Sequence, residues 1–110
     1  MKINNIDYKK MNGLVPTIIQ DEITKDVYML GYMSKKALQK TCETGRVYFW
    51  SRSRNKLWLK GEVSGNTLQV NKIYIDCDDD TLLISVTLIG NNVCHTGSKT
   101  CFNEELLIYK

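Results

Sequence analysis

The run Leu14-Val-Pro-Thr-Ile-Ile-Gln20, the connector Asp21-Glu-Ile-Thr-Lys-Asp26 and the run Val27-Tyr-Met-Leu-Gly-Tyr-Met33 decide the fold. Two apolar stretches rich in β-branched and aromatic side chains, joined by a short polar connector, read as neighbouring strands of a hairpin. Ser34 follows at once and can cap a helix whose Ala37, Leu38, Thr41 and Cys42 share one face, and Gly45 stands where a left-handed C-terminal cap is needed. On that face Cys42 reads as core.

Further along, Val47 to Ser53, Leu68 to Cys77 and Leu82 to Ile89 are strand candidates by the same signals. Five strands with one helix between the second and third predict an α+β fold with a largely antiparallel sheet, not alternating parallel units. The tail, Glu104 to Lys110, fits a helix or a strand equally well.

At 110 residues the chain fits a single domain spanning 1–110, because two separate cores would each bury too little apolar surface. Apolar residues at 43% and charged residues at 25% give no reason to expect disorder. The formal charge of +3 is too small to argue for a polyanionic partner and is compatible with a phosphorylated small molecule. The N-terminal stretch lacks the apolar core of a signal peptide and no later stretch has the length and apolarity of a membrane helix, so the cytoplasm is expected and no membrane partner. In a reducing compartment four cysteines point to metal binding or chemistry before disulfides.

Asp76-Cys77-Asp78-Asp79-Asp80 closes the fourth strand candidate, and strand alternation would set Asp76, Asp78 and Asp80 on one face. Converging carboxylates repel unless a hard divalent cation such as magnesium or calcium lies among them, although an acidic turn is as often simply solvated. A calcium EF-hand starting at Asp76 is excluded, since its glycine and glutamate positions hold Thr81 and Thr87. Cys77 would face away from its neighbouring aspartates. Cys94 and Cys101 bracket His-Thr-Gly-Ser-Lys-Thr, a Gly-containing segment able to bring both sulfurs to one zinc ion. On the residues alone, structural zinc, catalytic zinc and unliganded buried cysteines all remain open. His95, the single histidine, is an awkward fourth ligand beside Cys94 and a better candidate for moving protons.

In Trp50-Ser51-Arg52-Ser53-Arg54 a strand would place the arginines on one face and the serines on the other, either able to hold phosphate oxygens. Lys60, Glu62, Ser64, Gly65 and Asn66 follow in a glycine-containing loop whose backbone N–H groups suit a second anion. A solvated basic hairpin explains the same residues. So does a zinc-stabilised module binding single-stranded nucleic acid, with Trp50 and Trp58 stacking on bases.

Taken together, Phe49-Trp-Ser-Arg-Ser-Arg54, Leu57-Trp58, Lys60-Gly-Glu62, Ser64-Gly-Asn66, Asp76-Cys-Asp78, Asp80, Cys94-His-Thr-Gly97 and Cys101-Phe102 resemble the phosphoribosyl-AMP cyclohydrolase family of histidine biosynthesis. The resemblance runs from about Gly13 to Phe102, with Lys56 and Val63 departing from the usual acidic residue and threonine, and with Asn66 at a position where histidine also occurs. It implies a homodimer whose subunits share zinc ligands, with Asp76, Asp78 and Asp80 on magnesium and Cys77, Cys94 and Cys101 on zinc. It implies phosphoribosyl-AMP as substrate, contacted by Trp50, Ser51, Arg52, Ser53, Arg54, Lys60, Glu62, Ser64, Gly65 and Asn66. Zinc-activated water would attack C6 of the adenine ring, and the N1–C6 bond would break to open the ring. A nucleic-acid partner is then not expected, and at this length the chain is expected to carry this activity without the pyrophosphohydrolase fused to it elsewhere. Zinc deaminases are set aside because neither His-x-Glu nor Pro-Cys-x-x-Cys is present.

Overall fold

A computed structural model describes residues 3–108. Its first hairpin pairs β1 (Leu14–Asp21) with β2 (Val27–Ser34) antiparallel, Leu14 opposite Ser34 and Ile18 opposite Leu30. Asp21 closes the connector: one carboxylate oxygen accepts the Ile23 and Thr24 amides at 3.0 and 2.8 Å, and the other accepts the Tyr28 hydroxyl at 2.9 Å. The Thr24 amide, before the other donors, holds the Asp21 carboxyl below its usual range, while burial and then the Asp21 contact push the Tyr28 hydroxyl up to about 12.

The expected helix is α1, Lys35–Thr44. Ser34 Oγ accepts the Ala37 amide at 3.1 Å, and Gly45 ends the helix at φ 72° with its N–H on Thr41 O. Ala37, Leu38 and Thr41 are buried, and Thr41 Oγ1 accepts the Tyr48 amide at 3.0 Å, tying α1 to the next strand. Cys42 corrects the core expectation. It is exposed, at the edge of the stripe, and its thiol borders an apolar cleft formed with Ile3, Ile6, Leu38, Ile73, Ile75 and Leu82. Burial, and then Glu43, raise that thiol's pKa.

Among the described residues six strands form where five were expected. After β3 (Tyr48–Ser51) the basic stretch turns at Asn55, with φ 53°, and returns as β4 (Lys56–Leu59), a two-stranded sheet of its own. Then β5 (Thr67–Ile75) and β6 (Leu82–Ile89) complete a four-stranded sheet in the order β2-β1-β6-β5. Its central pair, β1 and β6, is parallel, so the sheet is mixed. Periodicity within one strand says nothing about which strand becomes its neighbour, and the crossover through α1 and β3–β4 makes this pair parallel. The fold remains α+β in a single domain. The tail residues Glu104–Ile108 have neither helix nor strand, and the last two residues of the expected tail lie outside the described range.

Register places Met29, Ile19, Ile84 and Ile73 in one row across the sheet and Gly31, Thr17, Leu82 and Ile75 in the next. This face carries the core. The opposite face has its own apolar row, Leu30, Ile18, Leu83 and Tyr74, with Leu30 44% and Tyr74 51% exposed. Gly31 is glycine for lack of room: a Cβ there would sit 2.6 Å from the Phe49 ring, which is itself buried and packed on Trp58 with ring centroids 5.5 Å apart. Gly31→Ala is expected to cost about 1–3 kcal/mol in denaturant unfolding, as overpacking does. In a Phe49→Leu background the same substitution should cost less, and equal costs in both backgrounds would disprove the contact.

Candidate active site

Residues 76–80 form a turn and do not continue β5, which ends at Ile75. The carboxylates still converge, for a reason other than strand alternation. Asp76 Oδ1 accepts the Asp80 and Thr81 amides at 3.0 and 3.2 Å, Asp76 O accepts the Asp79 amide at 3.2 Å, and Asp79 takes the left-handed conformation at φ 61°. The loop thus curls around its first carboxylate, and ligand oxygens of Asp76, Asp78 and Asp80 lie within 4.8 Å of one another. Among the described residues this is the one such group of three or more metal-ligating side chains. Its all-oxygen donor set suits a hard cation. Lys10 Nζ already donates to Asp80 Oδ2 at 2.9 Å and, with help from Asp76 and Thr81, holds that carboxyl below its usual range. Cys77, no longer set opposite the aspartates by alternation, lies 3.8 Å from Asp78 Oδ1 through its sulfur.

The Cys94–Cys101 segment is also a loop of turns. Cys94 N–H bonds to Ser98 O and Gly97 N–H to Cys94 O, which buries Cys94 and leaves His95 exposed. Cys101 arrives from the other side: its N–H donates to Tyr28 O at 2.7 Å, and Thr100 Oγ1 donates to Val27 O at 2.7 Å, fastening the segment to the edge strand β2. The two thiols are near enough to affect each other's ionisation. Thr96, through its hydroxyl and its amide, holds the Cys94 thiol below the ordinary thiol range, with smaller help from Cys101 and the Lys60 charge. Loss of hydration, then the neighbouring Cys94, raises Cys101. Soft sulfur ligands side by side, one inclined to ionise, suit zinc. Cys77 does not join them within one chain.

A cavity of about 350 Å³ opens beside Cys94, with His95, Asn92 and Val93 on one wall and Arg54, Trp58, Leu59 and residues 60–64 on the other. Of the basic aromatic segment, only Arg54 reaches it. Because β3 ends at Ser51, Arg52 and Arg54 do not share a strand face: Arg52 stacks over the Tyr32 ring at 4.0 Å, and Arg54 lies 5.9 Å from Trp58. Ser51 Oγ accepts the Arg54 amide and sits 3.4 Å from Ser53 Oγ. Trp50 is half-buried in β3. Trp58 packs on Phe49 and is flanked by Arg54 and Lys60, so it is no open platform for a base.

The glycine loop is less free than its composition suggests. Gly65 N–H bonds to Gly61 O and Asn66 N–H to Ser64 Oγ, so neither amide awaits an anion. Lys60 Nζ donates to Val93 O at 2.6 Å, and the Asn66 side chain bonds to Asn91 and Asn92. Glu62 and Ser64 stay exposed on the cavity wall. Sequence reasoning passed over Asn92, Thr96 and Thr100. Thr96 and Thr100 lie beside Gly97 and Cys101 in the segment already singled out for its cysteines, and Asn92 lies after the last strand with no motif around it.

The family model for phosphoribosyl-AMP cyclohydrolase matches residues 29–103. Phosphoribosyl-AMP cyclohydrolase of Clostridium beijerinckii is 51% identical over 105 residues, covering 96% of this chain and 95% of that protein. The enzyme of the same name from Clostridium botulinum strain 657 is 53% identical over 105 residues, covering 96% and 94%. The histidine biosynthesis bifunctional protein HisIE of Bacteroides thetaiotaomicron is 58% identical over 100 residues, covering 91% of this chain and 49% of that protein. The chain thus spans about half the length of this bifunctional relative and nearly all of the two others.

Asp76 and Asp78 differ in what they do for the turn. Asp76→Ala removes the acceptor of two amides and is expected to lower the thermal midpoint of protein stripped of divalent ions, while Asp78→Asn leaves that midpoint unchanged. Calorimetric scans in chelator check the pair, and equal losses would show that the turn does not hang on Asp76.

Proposed function

The chain belongs to the phosphoribosyl-AMP cyclohydrolase family, and from that premise we propose that the cavity beside Cys94 is where its reaction takes place. That reaction is the hydrolytic opening of the adenine ring of phosphoribosyl-AMP in histidine biosynthesis. The observation that carries the placement is the convergence of Cys94, His95 and the cationic side chains Arg54 and Lys60 on one cavity.

Ribose phosphate on N1 leaves the substrate ring positively polarised, so C6 is open to attack by water and the N1–C6 bond can then break. Cys94 and Cys101 would hold zinc, which would supply a Lewis acid able to make water nucleophilic near neutral pH. His95, exposed on the cavity wall beside Cys94, carries the proton between the attacking water and the departing nitrogen. Arg54, with Ser64 and Glu62 on the same wall, receives the phosphate and hydroxyl groups of the substrate. Asp76, Asp78 and Asp80, outside this cavity within one chain, would hold magnesium, which would supply positive charge to a phosphate. Thiolates kept for metal suit a reducing compartment, the cytoplasm; no helix among the described residues is long and apolar enough to cross a membrane.

A homodimer fits the two features that one chain leaves incomplete. Cys77 stands apart from the other thiols, and its acidic turn does not line the cavity, which supports the third zinc ligand that the family resemblance implies, Cys77 of the partner subunit. The row Leu30, Ile18, Leu83 and Tyr74, exposed at its two ends and half-buried between, offers an apolar face for the second copy.

Purified protein incubated with phosphoribosyl-AMP should open the ring, and zinc chelation should abolish turnover; metal-replete protein without turnover would refute the placement. Cys94→Ser should lose zinc and activity together, and full activity with no bound zinc would remove Cys94 from the ligand set. Ile18→Glu should yield a monomer by sedimentation, with zinc retention reduced. A dimer that persists with its zinc would move the interface elsewhere.

A further inference from the structure

Two struts converge on the backbone that presents Cys94. The first is a relay of side-chain amides: Asn66 Oδ1 accepts the Asn91 N–H at 3.1 Å, Asn66 Nδ2 donates to Asn92 Oδ1 at 3.3 Å, and Asn92 Nδ2 donates to Cys94 O at 3.0 Å. The second is Lys60, whose ammonium donates to Val93 O at 2.6 Å. Together they tie the 60–66 loop to consecutive carbonyls at the cavity wall.

The backbone around the relay is built to admit it. A Cβ at Gly90, with φ 136°, would overlap the Asn66 side-chain amide, and one at Gly61, with φ 89°, would overlap the Asn66 carbonyl. Both glycines let the chain close on Asn66 from opposite sides. The amide uses its oxygen as an acceptor and its nitrogen as a donor at once, a requirement that a hydroxyl or a carboxylate meets less well. None of this is needed to close the sheet, since β5 and β6 are already paired up to Thr67 opposite Ile89.

We propose that Asn66 and Asn92, with Lys60 as second strut, are positioning residues that fix the Val93–Cys94 backbone and hence aim the Cys94 sulfur into the cavity. This rests on the reading of Cys94 as a zinc ligand. Hydrogen-bond partners behind a ligand hold its orientation, and their loss costs about 10–100-fold in metal affinity. Asn66 and Lys60 thereby serve the reaction through Cys94 and not by touching substrate.

The test compares Asn92→Leu, Asn66→Leu and Asn66→His in the full-length, zinc-loaded protein. Readouts are zinc release to a colorimetric chelator, hydrogen exchange of the peptide covering 90–98, and kcat and KM for phosphoribosyl-AMP. The leucine variants should release zinc about 10–100-fold faster, exchange faster over 90–98, and lose kcat while KM is unchanged. Asn66→His, which still offers one acceptor and one donor, should recover most of both losses. Should Asn92→Leu fail to fold, Asn92→Ala takes its place.

A raised KM with zinc release and exchange unchanged would overturn the proposal and make these residues substrate contacts; no change in any readout would overturn it too. If Cys94→Ser protein keeps its zinc, the ligand assignment fails by itself, and exchange over 90–98 then decides alone whether the relay holds this backbone.

Discussion

The parallel pairing of β1 with β6, Thr17–Asp21 beside Leu82–Val86, is the constraint on which the rest of the structure depends. A parallel neighbour cannot be reached by a tight turn, so the intervening chain must cross over the sheet. Here the crossover consists of β2, α1, the β3–β4 ribbon and β5. Gly31 gives the Phe49 ring its seat against β2, and Thr41 ties α1 to Tyr48, so the ribbon has a fixed place on the core face. The loop leaving β4 then arrives beside the segment leaving β6. The candidate site is that meeting of two loops.

Electrostatics divides the metal-ligating residues into two environments. The acidic turn is largely exposed and is preorganised by its own backbone, with Lys10 as its one close counter-charge among the described residues. Such a site exchanges a hydrated hard cation readily, since its carboxylates stay in contact with water. Cys94 is buried and Cys101 exposed, and Thr96, with a smaller contribution from Lys60, favours the charged form of Cys94. One site is thus suited to a labile oxygen-bound ion and the other to a retained, sulfur-bound one.

Much of this was legible in the sequence where short-range chemistry decides. The hairpin, the Ser34 and Gly45 caps and the strands Thr67–Ile75 and Leu82–Ile89 follow from apolar pattern and capping residues. The parallel pair was not legible, because pairing partners are chosen by tertiary packing. Strand β4 was hidden because Lys56, Leu57, Trp58 and Leu59 are too few to show a period. The convergence of Asp76, Asp78 and Asp80 was foreseen from the wrong geometry: an extended strand and a turn wound around Asp76 both bring alternate residues together. Cys42 was misread because a position flanking the buried stripe is covered only if something packs over it.

The loop that brings the two thiols together also shows why spacing alone could not decide between a zinc site and buried cysteines. Residues Cys94 and Cys101 are held by different parts of the molecule. Cys94 is fixed through Val93 and its own carbonyl to the 60–66 loop, and Cys101 through its amide and Thr100 to the edge of β2. What they are anchored to, the 60–66 loop and β2, lies outside the segment between them. A short flexible loop with two free ends would have to lose conformational freedom on closing around a metal. Anchored at both ends, it has lost most of that freedom in folding, so the fold itself prepares the thiol pair. The asymmetry of the two thiols is local, since the Thr96 hydroxyl and amide favour the charged form of Cys94 while loss of hydration opposes it at Cys101, and the Lys60 charge acts on both.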